Sequence, residues 1–364
     1  YCGIVMSTEV VNEIKEQEYF INMGPQHPST HGVLRLLLSL NGEIIKNVEP
    51  HLGYIHRSIE KMCEKDTYKM IVHLTDRMDY LSCHMNNEAV CLAVEKGIEL
   101  EVSDRVKVIR TIMSELTRLS SHQLWWGVMG MDLGAITSFL YGFRDREMII
   151  DIFEETCGAR LTMNYNVPGG VMFDIPNNFQ TKVKEFITHF RKKLPEYDDL
   201  LSNNVIFKAR TEGVGILSKE DAISYAVTGP SGRASGFSCD IRKQHPYSAY
   251  DRVDFKEILY SEGDCFARYK ARIDEMWESM FIIEQLIDNI PEYYTFGEIS
   301  FRFKQVTNRR YFKFINNFYS YFLSNIRTKY FLMIFMYHCK IIILFRQRMR
   351  FNTKRRRINI AIFS

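Results

Sequence analysis

The sequence predicts an α+β fold, with a small antiparallel sheet at the N-terminus and a mainly α-helical body behind it. Three observations carry this reading. Residues 19–48 alternate apolar and polar around an Asn41-Gly42 turn. Residues 104–201 hold apolar side chains at helical spacing between cap and stop signals. Hydrophobic residues at 46% and charged residues at 25% of a 364-residue chain are globular proportions.

Tyr19-Phe20-Ile21 reads as a first strand and Val33–Leu40 as a second, with Leu34, Leu36, Leu38 and Leu40 on one face. Asn41-Gly42 then turns the chain back through Ile44 and Val48. Between the first two strands runs Gly24-Pro25-Gln26-His27-Pro28-Ser29-Thr30-His31-Gly32. Its glycines and prolines break helix and strand alike, so two imidazoles are held on a stiffened loop. Such a loop can aim a side chain into a cavity, and histidine changes charge near neutral pH. Pro28 keeps His27 and His31 off a shared helical face, which argues against a metal pair. On these residues alone His31 is a loop histidine bonded to backbone, and His27 braces the loop with Gly24 and Pro28.

Ser58–Lys65 is a short helical stretch. Asp76 or Asp79 is placed to cap a longer helix to Lys96, with Gly97 as its C-terminal stop. Ser103 or Asp104 opens the clearest amphipathic helix, with Val106, Ile109, Ile112, Met113, Leu116 and Leu119 on its apolar face and Gly127 past its end. Beside that stripe, Glu115, Arg118 and His122 are spaced to form a structural polar network. A further helix is expected from Asp132 to Gly158, then a Pro168-Gly169-Gly170 turn and an amphipathic helix over about 177–201. Thr228–Asp254 is loop-rich, and its Asp240–Tyr250 run is expected to serve packing or contact between subunits. A last helix runs from about Glu262 to Ile290, before Pro291. In isolation Arg57 reads as a surface ion-pair partner, Tyr80 as a half-buried packing residue and Asp132 as a helix cap.

The formal charge of +3 hides a segregation. Residues 297–364 hold 15 Lys or Arg against one acid, Glu298, while residues 1–296 hold 32 basic against 43 acidic residues. The eight cysteines are scattered and form no C-x-x-C, so no metal or iron–sulfur centre bound by this chain is expected. Scattered cysteines fit a reducing compartment better than a disulfide framework. Neither G-x-G-x-x-G after a strand nor G-x-x-x-x-G-K occurs, which leaves nucleotide binding without support. The body has no apolar run long enough to span a membrane. Tyr1–Val5 carries no signal-peptide pattern and is read as sequence upstream of a start at Met6.

Seven motifs stand in order along residues 18–296: G-P-Q-H-P-S-T-H-G-V-L-R (24–35), H-L-G-Y-I-H-R (51–57), D-R-M-D-Y (76–80), M-D-L-G-A (131–135), G-A-R-L (158–161), P-G-G-V (168–171) and D-I-R-K-Q-H-P-Y-S-A-Y-D (240–251). In these the chain resembles the 49 kDa-type (D-type) subunit of the proton-pumping NADH:quinone oxidoreductase, respiratory complex I. The resemblance implies a fold like the large subunit of nickel–iron hydrogenases with its metal lost. Where such a hydrogenase has its first C-x-x-C, this chain has Asp79-Tyr80-Leu81-Ser82-Cys83, with one cysteine. The resemblance further implies a quinone chamber shared with a neighbouring B-type subunit that carries a [4Fe–4S] cluster, with the C-type and the membrane-embedded H-type subunits as further partners. It makes His31 and Tyr80 the hydrogen-bonding groups for the quinone headgroup, Asp132 the carboxylate paired with that histidine and coupled to proton transfer, and Arg57 an arginine beside the cluster. Quinone is then a substrate and no cofactor belongs to this chain. The implied location is the inner membrane surface, peripheral, on the cytoplasmic side or the mitochondrial matrix side, with no nucleic acid bound.

The chain also departs from the family. Met129 stands where many relatives have a histidine three residues before Asp132, and a lower-potential quinone such as menaquinone would fit that change. Val167 replaces an arginine before Pro-Gly-Gly. From about Tyr293 the family's continuation is not recognisable, and the 297–364 segment reads as a basic aromatic tail from out-of-frame translation; residues 1–17 form an N-terminal extension. The competing readings are a hydrogenase-type or formate-linked large subunit, an inactive truncated product, or a binding protein acting through the basic tail.

Overall fold

The computed structural model describes residues 18–27 and 32–292. The N-terminal extension, His31, Pro28 and the basic tail therefore lie outside the described residues. The chain divides into two compact units, with the boundary between Lys61 and Met62.

The first unit is a three-stranded antiparallel sheet in the order β1 (Glu18–Met23), β2 (Arg35–Asn41), β3 (Ile44–His51). Glu18 pairs with Asn41 and Met23 with Leu36, so the loop after Met23 rises from the far end of the sheet from the hairpin. Gly42 turns the hairpin at φ 60°. Leu36 and Leu38 are buried as the two-residue period predicts, but Ser39 is buried too. The register shifts between Ser39 and Leu40, where Lys46 is left over, and such a bulge breaks the alternation of faces.

The second unit is helical. α1 (Ile59–Lys65) crosses the boundary, and α2 (Tyr68–Thr75), α3 (Cys83–Gly97), α4 (Asp104–Asp132) and α5 (Ile136–Cys157) follow. A short hairpin of β4 (Asn166–Val167) and β5 (Gly170–Val171) leads to α6 (Phe179–Tyr197), which runs on as a π turn over Asp198–Ser202. Short helices α7 (Val205–Thr211), α8 (Lys219–Ser224), α9 (Gly229–Ala234) and α10 (Ile241–Gln244) precede α11 (Cys265–Ile287). No helix among the described residues is long and apolar enough to cross a membrane.

α4 is the axis of this unit. Ser103 caps it, accepting from the Val106 N–H, and the face of Ile109, Ile112, Met113, Leu116 and Leu119 is wholly buried. α6 contributes Val183, Phe186, Phe190 and Leu194 to the same core, and α11 contributes Ile273, Met276, Met280 and Ile283. Trp126 stacks on Tyr197 with ring centroids 3.7 Å apart and donates its indole N–H to Tyr269 at 3.3 Å.

Several expected boundaries move. α4 passes through Gly127 and ends at Asp132, because the glycines let α5 approach. A Cβ on Gly127 would stand 3.1 Å from the Phe139 Cα, and one on Gly130 only 1.9 Å from the Ser138 Oγ. The helix stops instead at a Schellman motif, with Gly134 at φ 93° and the Ala135 N–H donating to the Gly130 carbonyl at 2.8 Å. Asp132 thus closes α4 rather than opening α5. α3 begins at Cys83, so neither Asp76 nor Asp79 caps it, and α2 occupies residues that the sequence left unassigned.

Candidate functional site

Gly24, His27 and Arg57 belong to the sheet unit. Gly24 is required by its surroundings, since its φ is 91° and a Cβ would stand 1.9 Å from the Leu34 carbonyl oxygen. His27 forms an isolated antiparallel bridge with Gly32, which draws the two ends of the histidine loop together. Arg35 ties the strands below it, donating to the Asn22 Oδ1 at 3.0 and 2.9 Å and to the Tyr54 hydroxyl at 3.4 Å. Arg57 is exposed, between the turn at Gly53 and α1.

Tyr80 and Asp132 belong to the helical unit. Tyr80 stands in the turn over residues 76–82 between α2 and α3, 53% exposed, with its carbonyl accepting from the Cys83 thiol at 3.0 Å. Asp132 is exposed at the last residue of α4. α3 and α4 are antiparallel: His84 meets Thr117, Glu88 meets Ser114 and Glu95 meets Arg110. The start of α3 and the end of α4 therefore lie toward the same end of this unit. A helix C-terminus carries partial negative charge and, together with the Asp132 carboxylate, favours a cation nearby. Arg210 already supplies one, donating to the Leu133 carbonyl at 3.2 Å.

The seam between α3 and α4 holds groups that sequence reasoning missed. His84, Glu88, Cys91 and Glu95 line one face of α3 and are all buried. Burial holds the His84 imidazole down at about 3, so it is neutral. The Thr117 hydroxyl donates to the Met113 carbonyl at 2.8 Å, so His84 Nδ1 carries the proton and donates to Thr117 at 2.8 Å. His84 Nε2 is then free to accept from the Cys157 thiol at 3.4 Å, and burial raises that thiol so that it keeps its proton. Glu88 accepts from the hydroxyls of Ser114, at 2.7 Å, and Ser248, and burial raises its carboxyl above the usual range. Glu95 and Arg110 form a bidentate pair at 3.0 and 2.7 Å. Arg110 also donates to the carbonyls of Val167 and Gly170, each at 2.9 Å, and the Gly169 N–H donates to Glu95 at 2.7 Å. The P-G-G-V motif is thereby clamped to both helices. The signal for this seam was in the sequence: polar residues at 84, 88, 91 and 95 recur at helical spacing.

Glu115 gathers a second network. It accepts from Arg118 Nε at 3.1 Å, Arg242 Nη1 at 3.1 Å, the Tyr250 hydroxyl at 2.5 Å and the Ser279 hydroxyl at 2.7 Å. Burial alone would raise this carboxyl, but Arg118 and Arg242 outweigh it and hold it at about 2. Arg242 also binds Asp240, which is held at about 2 as well. His122 joins neither Glu115 nor Arg118. Its Nε2 donates to Glu275 of α11 at 2.9 Å, beside Arg233 on the same carboxylate. The D-I-R-K-Q-H-P-Y-S-A-Y-D motif is thus an internal lock: Arg242 and Tyr250 hold Glu115, Ser248 holds Glu88, and the Ala249 N–H donates to Thr111 at 3.1 Å. Among the described residues no three His, Cys, Asp or Glu side chains converge in a way that could hold a metal ion.

The chain has relatives among known proteins. A family model described as the 49 kDa subunit of respiratory-chain NADH dehydrogenase matches residues 132–328, so its end lies within the basic segment. The D subunit of NADH-quinone oxidoreductase from Bacillus mycoides is 48% identical over 279 residues, 77% of this chain and 76% of the relative. The chain belongs to the 49 kDa subunit family of respiratory-chain NADH dehydrogenase. The second D subunit of NADH-quinone oxidoreductase from Rhizobium etli is 50% identical over 279 residues, 77% of this chain and 69% of the relative. The C/D subunit of NADH-quinone oxidoreductase from Bacteroides thetaiotaomicron is 60% identical over 277 residues, 76% of this chain. The chain spans about half the length of such C/D relatives, 52% in that case.

Proposed function

We propose that this chain is the quinone-binding subunit of a proton-translocating NADH:quinone oxidoreductase, peripheral to the inner membrane on its cytoplasmic or matrix side. It would assemble with the B-type and C-type subunits and with the H-type subunit in the membrane. The observation that supports the reading is the exposed Tyr80 on the ordered turn before α3, in a chain of the 49 kDa subunit family. A phenol held on a short ordered turn suits a site that must donate hydrogen bonds to a weakly polar substrate.

The chemistry follows from these groups. Reducing a quinone to a quinol adds two electrons and two protons, and each carbonyl oxygen gathers negative charge before it is protonated. A [4Fe–4S] cluster in the neighbouring B-type subunit would supply the electrons. The Tyr80 hydroxyl donates to one carbonyl oxygen and the His31 imidazole to the other, and each can pass on its proton as charge builds. Asp132 favours the protonated form of His31 and orients its ring. Loss of the imidazole proton leaves the Asp132 carboxylate without its counter-charge, which would start the conformational coupling to proton translocation. Arg57 contributes positive charge beside the cluster, and Gly24, His27 and Pro28 shape the loop that presents His31.

In the assembled complex, Tyr80→Phe and His31→Ala are each expected to lower quinone reductase activity by at least about tenfold, the low end of what a general acid contributes. Electron transfer from NADH to an artificial acceptor should be unchanged in both. Normal quinone turnover in both variants would refute the assignment.

A further inference from the structure

The turn that presents Tyr80 also buries a carboxyl group that makes no full hydrogen bond among the described residues. Asp76 opens this turn and is 0% exposed, and neither carboxyl oxygen has a hydrogen-bond partner among the described residues. The Asn87 amide is close enough to favour the carboxylate, though it makes no full hydrogen bond to it, and its other contacts lie elsewhere. The Asn87 amide donates to the Met163 carbonyl at 3.0 Å, and the Thr75 hydroxyl points at the Val72 carbonyl at 2.7 Å and the Asn87 Oδ1 at 2.9 Å. Arg77 is exposed and donates to the His73 carbonyl at 2.8 Å. The titratable groups whose charge couples to Asp76 from the interior are Cys83 and Cys91 of α3 and Cys157 of α5, all neutral thiols held up by burial. Asp79 of the same turn and Arg146 of α5 act on Cys83. The cation whose charge reaches Asp76 is Arg77, on the exposed side of the turn. Burial raises it from 3.8 to about 6, against the smaller pulls of Asn87 and Arg77.

An unpaired buried carboxylate costs several kcal/mol, and a fold rarely keeps one without a use for it. This one is mechanically coupled to Tyr80. The Met78 N–H donates to the Thr75 carbonyl at 3.2 Å, and the Ser82 N–H to the Asp79 carbonyl at 3.0 Å. Asp79 also accepts from the Leu81 N–H at 3.2 Å, and its carbonyl from the Asn86 amide at 3.1 Å. The Cys83 thiol lies 3.0 Å from the Tyr80 carbonyl and 3.6 Å from that of Asp76. A displacement at Asp76 therefore passes along one hydrogen-bonded turn to Tyr80.

We propose that Asp76 is a positioning residue for Tyr80, whose protonation sets the conformation of the 76–82 turn. With a neutral carboxyl the turn holds Tyr80 in the position found in this structure; the ionised carboxylate draws water or the Arg77 guanidinium inward, and the turn carries Tyr80 away from its substrate. Proton uptake at Asp76 would thus couple to quinone binding. This rests on the reading of Tyr80 as a quinone ligand.

The test uses the assembled complex carrying Asp76→Asn, with Tyr80→Phe in parallel, and measures kcat and KM for a short-chain quinone over pH 5.5 to 8.5. In the unmutated complex KM should rise by about threefold or more as Asp76 ionises. In Asp76→Asn KM should stay near its low-pH value throughout, with the effect on KM rather than kcat. A KM profile for Asp76→Asn that overlays the unmutated one overturns the proposal while leaving Tyr80 in place if Tyr80→Phe is impaired. Normal quinone turnover in Tyr80→Phe overturns the underlying reading instead. If Asp76→Asn does not assemble, hydrogen exchange of the 76–82 amides in the unmutated complex decides. Corrected for intrinsic rate, exchange should be about tenfold faster at pH 8 than at pH 5.5; equal protection overturns the proposal.

Discussion

Arg242 places Nη1 3.1 Å from Glu115 Oε1 across 127 residues of sequence, and both side chains are buried. The same guanidinium holds Asp240 through Nη2 at 2.6 Å. Removing it leaves Glu115 with only Arg118, and Asp240 with only the weaker pulls of Arg233 and Arg118, to balance them in the interior. Arg242→Ala should destabilise the protein by about 3–5 kcal/mol, the cost of breaking a buried pair from one side. Arg242→Lys should restore little, because a single ammonium cannot reproduce a fork shared between two carboxylates. Denaturant midpoints of the purified protein check both.

The pH dependence of stability should have two opposed parts. Glu115 and Asp240 sit at about 2, below their ordinary 4.5 and 3.8, so the folded protein binds these protons less tightly than the unfolded chain. Their stabilisation is complete above about pH 4.5 and drains away as pH falls toward 2. Asp76 has the reverse sign: raised to about 6, it adds stability at low pH that is lost as pH rises from 3.8 through 6. Asp76→Asn should therefore be more stable than the unmutated protein at neutral pH, by on the order of 2 kcal/mol, with the difference vanishing below about pH 4. Thermal unfolding at several pH values measures it.

His84 should not titrate in the neutral range. Its buried imidazole, held at about 3, should show the Nδ1–H tautomer in nitrogen NMR from about pH 5 to pH 8. A titration near the ordinary histidine value would show that the α3–α4 seam admits water.

Gly24→Ala should disturb the histidine loop at its root. The new methyl would meet the Leu34 carbonyl at 1.9 Å on a backbone at φ 91°. A loss of about 1–3 kcal/mol is expected, as for other residues forced into sparsely populated backbone regions. Amide exchange of β1 and β2 should rise more than that of α4.

Much of the fold was legible from the chain. The Asn41-Gly42 hairpin, the Ser103 cap, the apolar face of α4 and the stop at Gly158 all follow from local chemistry and stand where expected. What failed depends on partners distant in sequence. Gly127 looks like a helix stop until α5 is packed against it and Gly130, which moves Asp132 from the start of one helix to the end of another. Glu88 and Glu95 look like a solvated helix face until Ser114 and Arg110 turn that face inward. The 240–251 motif was legible as an ordered loop, but its partners Glu88 and Glu115 lie far upstream. Among the candidate site residues, Tyr80 and Asp132 were legible in the sequence through their motifs alone.

The most direct test of the central claim is an experimental map of the assembled complex with a short-chain quinone bound. The account predicts the Tyr80 hydroxyl within about 2.6–3.2 Å of one carbonyl oxygen and a ring nitrogen of His31 at a similar distance from the other. A quinone headgroup bound elsewhere, with Tyr80 and His31 on opposite faces of the protein, would contradict it.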